Sequence, residues 1–119
     1  MKNFRDLKVW EKAHRVALTI YSLTKSYPKE EQFNLVSQIR RAALSIPTNI
    51  AEGSKRQSQS DFARFLNIAE GSLAETEYLL MVSRDLGYIE LPAASRYLKE
   101  VSEILRMLSG LRARITQGS

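Results

Sequence analysis

No cysteine occurs anywhere in these 119 residues. That removes a disulfide framework, a thiolate nucleophile, and cysteine-ligated zinc or iron–sulfur chemistry together. Histidine is nearly as scarce, His14 being the only one. A di-iron site in a helical bundle needs paired Glu-x-x-His motifs on facing helices, whereas the residues three before and three after His14 are Glu11 and Ala17. His14 is expected to be a partly buried helix residue rather than a ligand. There is no glycine-rich loop of the P-loop kind, and no serine stands with a plausible base. Catalysis is therefore not expected, and neither is a metal or any other cofactor. No run of about 18 apolar residues is present to cross a membrane. The opening Met-Lys-Asn-Phe-Arg-Asp lacks the apolar core of a signal peptide. These absences lead us to expect a cytoplasmic chain. Alternating strand patterns, internal repeats and low-complexity segments are missing as well.

What remains is charge and helical periodicity. Eighteen Lys and Arg against thirteen Asp and Glu leave a net charge of +5. That permits attraction to nucleic acid or another anionic surface without establishing it. The length, residues 1–119, suits one domain with a real core.

The most informative stretch is Gln38 to Arg56. Leu35, Ile39, Ala42 with Ala43, Ile46 and Ile50 recur at steps of three and four, the spacing of one buried helix face. Gln38, Arg41, Ser45, Asn49, Glu52 and Arg56 recur at the same steps, rotated by about 100°. The polar stripe should meet water, a second subunit or a ligand. Pro47 interrupts both stripes, and an interior proline costs an ordinary helix about 3 kcal/mol. Because the apolar register passes from Ile46 to Ile50 without a shift, one helix kinked at Pro47 is expected, with Ser45 or Thr48 hydroxyls near the freed carbonyls. The alternative is a helix ending near Leu44, a Ser-Ile-Pro turn and a new helix from Thr48.

Taken in order, a first helix is expected from Phe4 or Asp6 to about Lys25. Its wide apolar face is Trp10, Ala13, Ala17, Ile20, Thr24 and Tyr27, broadened by Val9, Val16 and Leu23. Arg5, Lys8, Lys12 and Arg15 form a cationic row on another side, matched only by Asp6 and Glu11. Such a row either faces phosphates or is simply solvated. Pro28 stops the helix, and Glu30 and Glu31 suit the positive end of the next dipole. Gly53 is expected to cap the second helix, before a polar loop carrying Lys55 and Arg56. Ser58 followed by Asp61 resembles a capping box, so a third helix should run from Gln59 to Leu86. Gly71 lies inside it, next to Ala69, Ser72 and Ala74, and predicts close approach of another helix there. Glu70, Glu75 and Glu77 put carboxylates at the same level, opposite in sign to Arg40 and Arg41. Gly87 ends that helix, Pro92 opens a fourth, and Arg112 and Arg114 in its last turns suit the dipole and receive no other role. Four helices with short connections predict an all-α, antiparallel up-and-down four-helix bundle over residues 1–119.

Three stretches carry a resemblance. They are Phe4-Arg-Asp-Leu-Lys-Val-Trp10, then Gln38-Ile-Arg-Arg-Ala42 with Ser45-Ile-Pro-Thr-Asn-Ile-Ala-Glu-Gly53, then Phe65-Leu-Asn-Ile-Ala-Glu-Gly-Ser-Leu73 with Glu75. Together they resemble the four-helix-bundle family encoded in intervening sequences of bacterial 23S ribosomal RNA genes, over residues from about 4 to 110. That family is related to the accessory variability protein of diversity-generating retroelements, a basic, barrel-shaped homopentamer that associates with nucleic acid and a reverse transcriptase. The resemblance implies a bundle that assembles with itself, into a ring of five, and has affinity for nucleic acid.

Two kinds of residue are thus candidates for function. Arg5, Lys8, Lys12, Arg15, Arg40, Lys55 and Arg56 are the cations that could contact RNA or DNA, and a ring would repeat them by symmetry. No aromatic is interleaved with them in sequence as a stacking platform. Gln38, Arg41, Ser45, Asn49, Glu52, Glu70, Ser72 and Glu75 could instead form a polar network, within the chain, between subunits or toward a protein partner, that fixes register.

Overall fold

The computed structural model describes residues 3–117. Helices α1 (Lys8–Thr24), α2 (Leu35–Ser54), α3 (Gln59–Asp85) and α4 (Leu91–Gln117) carry almost all of them, with 3-10 turns at Phe4–Asp6 and Lys29–Glu31. No strand occurs among the described residues. The four helices alternate in direction and form a bundle measuring 47 × 24 × 20 Å. No helix among them is long and apolar enough to cross a membrane.

The core is the set of stripes that the periodicity marks. Ala13, Ala17 and Ile20 from α1, Ile39, Ile46 and Ile50 from α2, Leu66, Leu73 and Leu80 from α3, and Ile104 and Leu108 from α4 are all buried. Fully burying a side chain of this size stabilises by about 1.5–3 kcal/mol. Thr24 and Thr76 sit in the same core because each hydroxyl donates to the carbonyl one turn earlier, of Ile20 and Ser72, at 2.7 and 2.9 Å.

Several local expectations change. The α-helix starts at Lys8 rather than at Phe4 or Asp6. The Asn3 side chain accepts the Arg5 N–H at 3.0 Å and closes a tight turn, after which Leu7 is extended. α2 runs unbroken through Pro47, so the turn-and-restart alternative is excluded. The hydroxyl near the proline does not serve the freed carbonyl of Ala43. Thr48 donates to the Leu44 carbonyl at 2.8 Å, and the Asn49 amide to that of Ser45 at 2.8 Å.

Neither of the two glycines singled out above plays its expected role. Gly53 is no cap: it lies inside α2, buried. A Cβ there would come 2.7 Å from the Cβ of Phe65 and 2.9 Å from Cδ1 of Phe62. Gly53 is what lets α2 and α3 approach at that level. Gly71 is exposed and has nothing within 4 Å of where its Cβ would be, so the close approach expected there is absent within the chain.

Two turns form as their chemistry dictates. The Ser58 hydroxyl accepts the Asp61 N–H at 3.1 Å and caps α3. Gly87, at φ 81°, ends α3 with Gly87 N–H on the Arg84 carbonyl and Tyr88 N–H on the Ser83 carbonyl, the paired bonds of a Schellman motif.

Candidate nucleic-acid interface

Alternating helix directions put the start of α1, the end of α2, the start of α3 and the end of α4 in one half of the bundle. Residues 3–15, 45–71 and 103–117 carry ten Lys and Arg against six Asp and Glu. The remaining described residues, 16–44 and 72–102, carry seven against seven. The excess positive charge of the described chain therefore belongs to one half of the molecule.

Within that half the expected cations divide. Lys12 donates to Glu103 of α4 at 2.6 Å and holds that carboxyl below its usual range. Arg15 pairs with Glu11, one turn earlier, at 2.7 Å. The row Arg5, Lys8, Lys12, Arg15 is thus half neutralised, and Glu103 is a partner that the α1 sequence alone could not reveal. Lys8 stays free of carboxylates and borders a recess of about 230 Å³, whose floor is Leu7, Val9, Met107 and Leu111 and whose rim includes Arg106 and Arg114. Arg106 and Arg114 join the basic half only because α4 returns alongside α1. Lys55 and Arg56 stand at the end of α2. Arg56 lies 3.8 Å from Asp61 and over the Phe65 ring at 4.6 Å.

Arg40 is in the other half. Its Nε donates to the Thr24 hydroxyl at 2.8 Å, its Nη2 to the Tyr21 carbonyl at 3.1 Å, and its guanidinium lies over the Tyr21 ring at 4.7 Å. It closes the C-terminus of α1, whose last carbonyls have no partner in their own helix. This structural task and its position separate it from the other candidate cations.

The absence of interleaved aromatics in the sequence does not carry over to the fold. Phe4 and Trp10 meet edge to face at 5.0 Å, and His14 stacks on Trp10 at 5.0 Å with ring planes 7° apart. Arg5 and Lys55 stand 4.9 and 5.9 Å from the Phe4 ring centre. Positions 10 and 14 are one turn apart on α1, which was legible. That Lys55 returns to Phe4 was not.

The polar stripe comes together in part. Gln38, Arg41, Ser45, Ser72 and Glu75 border one recess of about 310 Å³ between α2 and α3. Ser72 donates to Ser45 at 2.9 Å, and the Asn49 amide reaches the same Ser45 hydroxyl at 2.9 Å. Gln38 is held by Asn34 at 3.0 Å and Arg41 by Ser37 at 3.0 Å. Neither Arg41 nor Glu75 forms an ion pair among the described residues, and Glu52 is exposed at the end of the stripe. Glu70 does not belong to this recess. It faces Arg112 of α4, contrary to the expectation that it opposes Arg40 or Arg41 and that Arg112 serves only the dipole. The carboxylate beside Arg112 pushes the guanidinium pKa up. Among the described residues, no group of three or more His, Cys, Asp or Glu could hold a metal ion.

Comparison with known proteins gives the chain a family. No curated protein matches it. Among solved structures, it is similar to a protein of unknown function from the S23 ribosomal protein family of Bacteroides thetaiotaomicron VPI-5482, whose crystal structure was determined at 1.70 Å. The two are 32% identical and superpose with a TM-score of 0.82 over 88% of this chain and 95% of that one. A family model described as 23S rRNA-intervening sequence protein matches residues 5–110. With nine-tenths of its length inside that match, and a four-helix fold shared with a solved relative, the chain belongs to the 23S rRNA-intervening sequence protein family.

Proposed function

We propose that this protein is a non-catalytic, self-assembling helical bundle that binds RNA or DNA through its basic half. The observation that carries the reading is the charge separation: ten cations to six carboxylates in one half, seven to seven in the other. Arg5, Lys8, Lys55 and Arg56 are its contact residues, joined by Arg106 and Arg114. Lys12 and Arg15, held by carboxylates at 2.6 and 2.7 Å, contribute less than Arg56, whose carboxylate neighbour is 3.8 Å away. Contacts to the phosphate backbone give affinity with little sequence preference and a strong dependence on salt, log K falling with log salt by about 0.9 per phosphate neutralised. Assembly, into a ring of five if the resemblance holds, would repeat the basic half around one axis and strengthen its field. The test is titration of the purified protein with a structured RNA and a DNA duplex of equal length, at low and at physiological salt. Binding that weakens with salt and weakens further in a Lys8→Ala, Lys55→Ala double variant supports the reading. Absence of binding at low salt rejects it.

A second reading has its own observation. Arg41 and Glu75, opposite in sign and exposed, border one recess without an ion pair of their own. In an assembly or protein-interaction module with no nucleic-acid role, each would meet its opposite on a neighbouring chain. Light scattering separates the cases. Arg41→Glu and Glu75→Arg should each lower the assembled fraction, and the double reversal should restore it.

A further inference from the structure

Phe4, Trp10 and His14 form a short ladder of rings that ends on the exposed imidazole of His14. Trp10 and His14 are one helical turn apart, so their side chains leave the same side of α1. The imidazole lies parallel to the indole, 7° apart at 5.0 Å, and Phe4 closes the other end edge-on at 5.0 Å. His14 is exposed rather than partly buried as expected, and among the described residues Trp10 is the one ring stacked on it. Leu18, the next residue along that side, is 57% exposed and extends an apolar surface beyond the ring. At the Phe4 end stand two cations, Arg5 at 4.9 Å and Lys55 at 5.9 Å from the ring centre. Neither has a carboxylate within ion-pair distance among the described residues. Of the nearby carboxylates, Asp6 neighbours Arg5 in the same turn without an ion pair to it, Glu11 is held by Arg15, and Glu52 stands three residues before Lys55.

We propose that this ladder takes an unpaired nucleic-acid base on the exposed imidazole of His14, with the flanking phosphates drawn to Arg5 and Lys55, so that the protein prefers single-stranded to duplex nucleic acid. The inference rests on the nucleic-acid reading above and narrows it. Rings in parallel contact continue naturally into a further ring, and every base has a π-face, so the preference is for strandedness and not for sequence. Bases inside a duplex already have both faces covered by their neighbours, and they cannot enter such a stack without being flipped out at a cost. Cations beside the rings supply the backbone half of the same contact, as single-strand sites require. A protein partner would find the same rings, but nothing in that case calls for two unpaired cations beside them.

Trp10 is the single tryptophan of the chain, so its fluorescence reports on the ladder directly. The experiment titrates the full chain with a short single-stranded RNA, and separately with a duplex of the same sequence, at physiological salt. Tryptophan emission and fluorescence anisotropy of the labelled nucleic acid are followed together. We expect tighter binding of the single strand, a change in Trp10 emission on its binding only, and a loss of roughly ten-fold in single-strand affinity for His14→Ala, with duplex affinity unchanged. His14→Phe, which keeps a ring, should retain the preference. Circular dichroism confirms that the variants fold. Equal binding of both forms, with Trp10 emission unchanged and His14→Ala without effect, overturns the stacking inference while leaving the basic-half reading in place. No binding of either form overturns both. A change of oligomeric state in His14→Ala, with affinity unaltered, makes the ladder a protein contact and overturns the inference too.

Discussion

The Arg112 guanidinium grips the Glu70 carboxylate with two nitrogens, Nε to Oε2 at 2.6 Å and Nη2 to Oε1 at 3.1 Å. This fork fastens the last turns of α4 to the middle of α3, and Glu70 is the more buried partner, its side chain 14% exposed. Bidentate pairs of this kind are stronger and more specific in geometry than ordinary surface ion pairs. Glu70→Gln keeps the shape but halves the charge complement. It should cost about 1 kcal/mol, read as a lower midpoint in urea with an unchanged slope. An unchanged midpoint would mean that the fork is solvated and adds nothing.

The glycines make a matched pair. Gly53→Ala places a methyl group 2.7 Å from a Phe65 backbone-proximal carbon that cannot swing away, so α2 and α3 must separate locally. Overpacking of this sort costs about 1–3 kcal/mol. Gly71→Ala meets open space and should stabilise the helix by about 1 kcal/mol. Thermal unfolding of the two variants should therefore shift in opposite directions. A loss of stability in Gly71→Ala would show that the exposed face at that level is covered in the assembled protein.

Tyr27 and Tyr88 meet at 5.2 Å at the end of the bundle opposite the basic half. The Tyr27 hydroxyl is buried and meets no hydrogen-bond geometry, and the nearby Ser83 hydroxyl, which donates to the Leu79 carbonyl, only moderates the upward push of burial. Burial pushes its phenol up, and the bond to Glu31 at 2.8 Å pushes Tyr88 up. A raised folded-state pKa means that the neutral form is favoured. That stability is complete below the unfolded value near 10 and is lost as pH rises through the folded value. Tyr27→Phe removes a hydroxyl that makes no bond and should raise stability at neutral pH by about 1 kcal/mol. It should also flatten the decline above pH 10. A destabilised variant would mean that the hydroxyl does have a partner.

Acid works on the other side. Lys12 holds the Glu103 carboxyl below its ordinary value, first by the hydrogen bond and then by charge. A depressed folded-state pKa contributes stability above the unfolded value near 4.3, lost as pH falls through the folded one. Glu103→Gln should therefore be less stable than the parent at pH 7, by a small amount because the pair is exposed. The two should converge in acid, once the pH has fallen through that lowered value. A difference that persists in acid would assign the effect to packing instead.

Arg40 separates structure from function. Arg40→Met loses the donors to Thr24 and to the Tyr21 carbonyl, and should destabilise the fold by about 1–2 kcal/mol. Its nucleic-acid affinity, measured where the variant is folded, should match the parent. A drop in affinity comparable to that of Lys8→Ala would return Arg40 to the binding surface.

The helices themselves were legible because their stripes are periodic, and the stripe residues are the buried ones. Pro47 was legible for the same reason: an unshifted register is what an unbroken helix leaves in a sequence. What could not be read was anything that depends on which helix faces which. A glycine at a cap, one for close packing and one at an open surface look alike, so the close approach expected at Gly71 is found at Gly53 instead. Glu70 had two arginines in sight on α2 and took a third on α4. The row Arg5, Lys8, Lys12 and Arg15 is real as spacing, but Glu103 enters from 91 places further along the chain to neutralise Lys12. The Trp10–His14 stack follows from a spacing of four, whereas its cationic flank needs the end of α2 to return to Phe4. Ser45, Asn49 and Ser72 joined as one network, in keeping with their shared level on α2 and α3.

The central claim is that one half of the bundle contacts nucleic acid. The most direct measurement is binding of a structured RNA across a salt series by three proteins: the parent, Lys8→Ala with Lys55→Ala, and Lys25→Ala with Lys29→Ala at the opposite end. Each double variant removes two positive charges, so net charge is controlled. The account predicts that the first double variant binds more weakly, with a shallower salt slope by about 1–2, and that the second stays close to the parent. Equal losses in both variants would mean that only net charge matters, and would contradict a binding surface confined to that half.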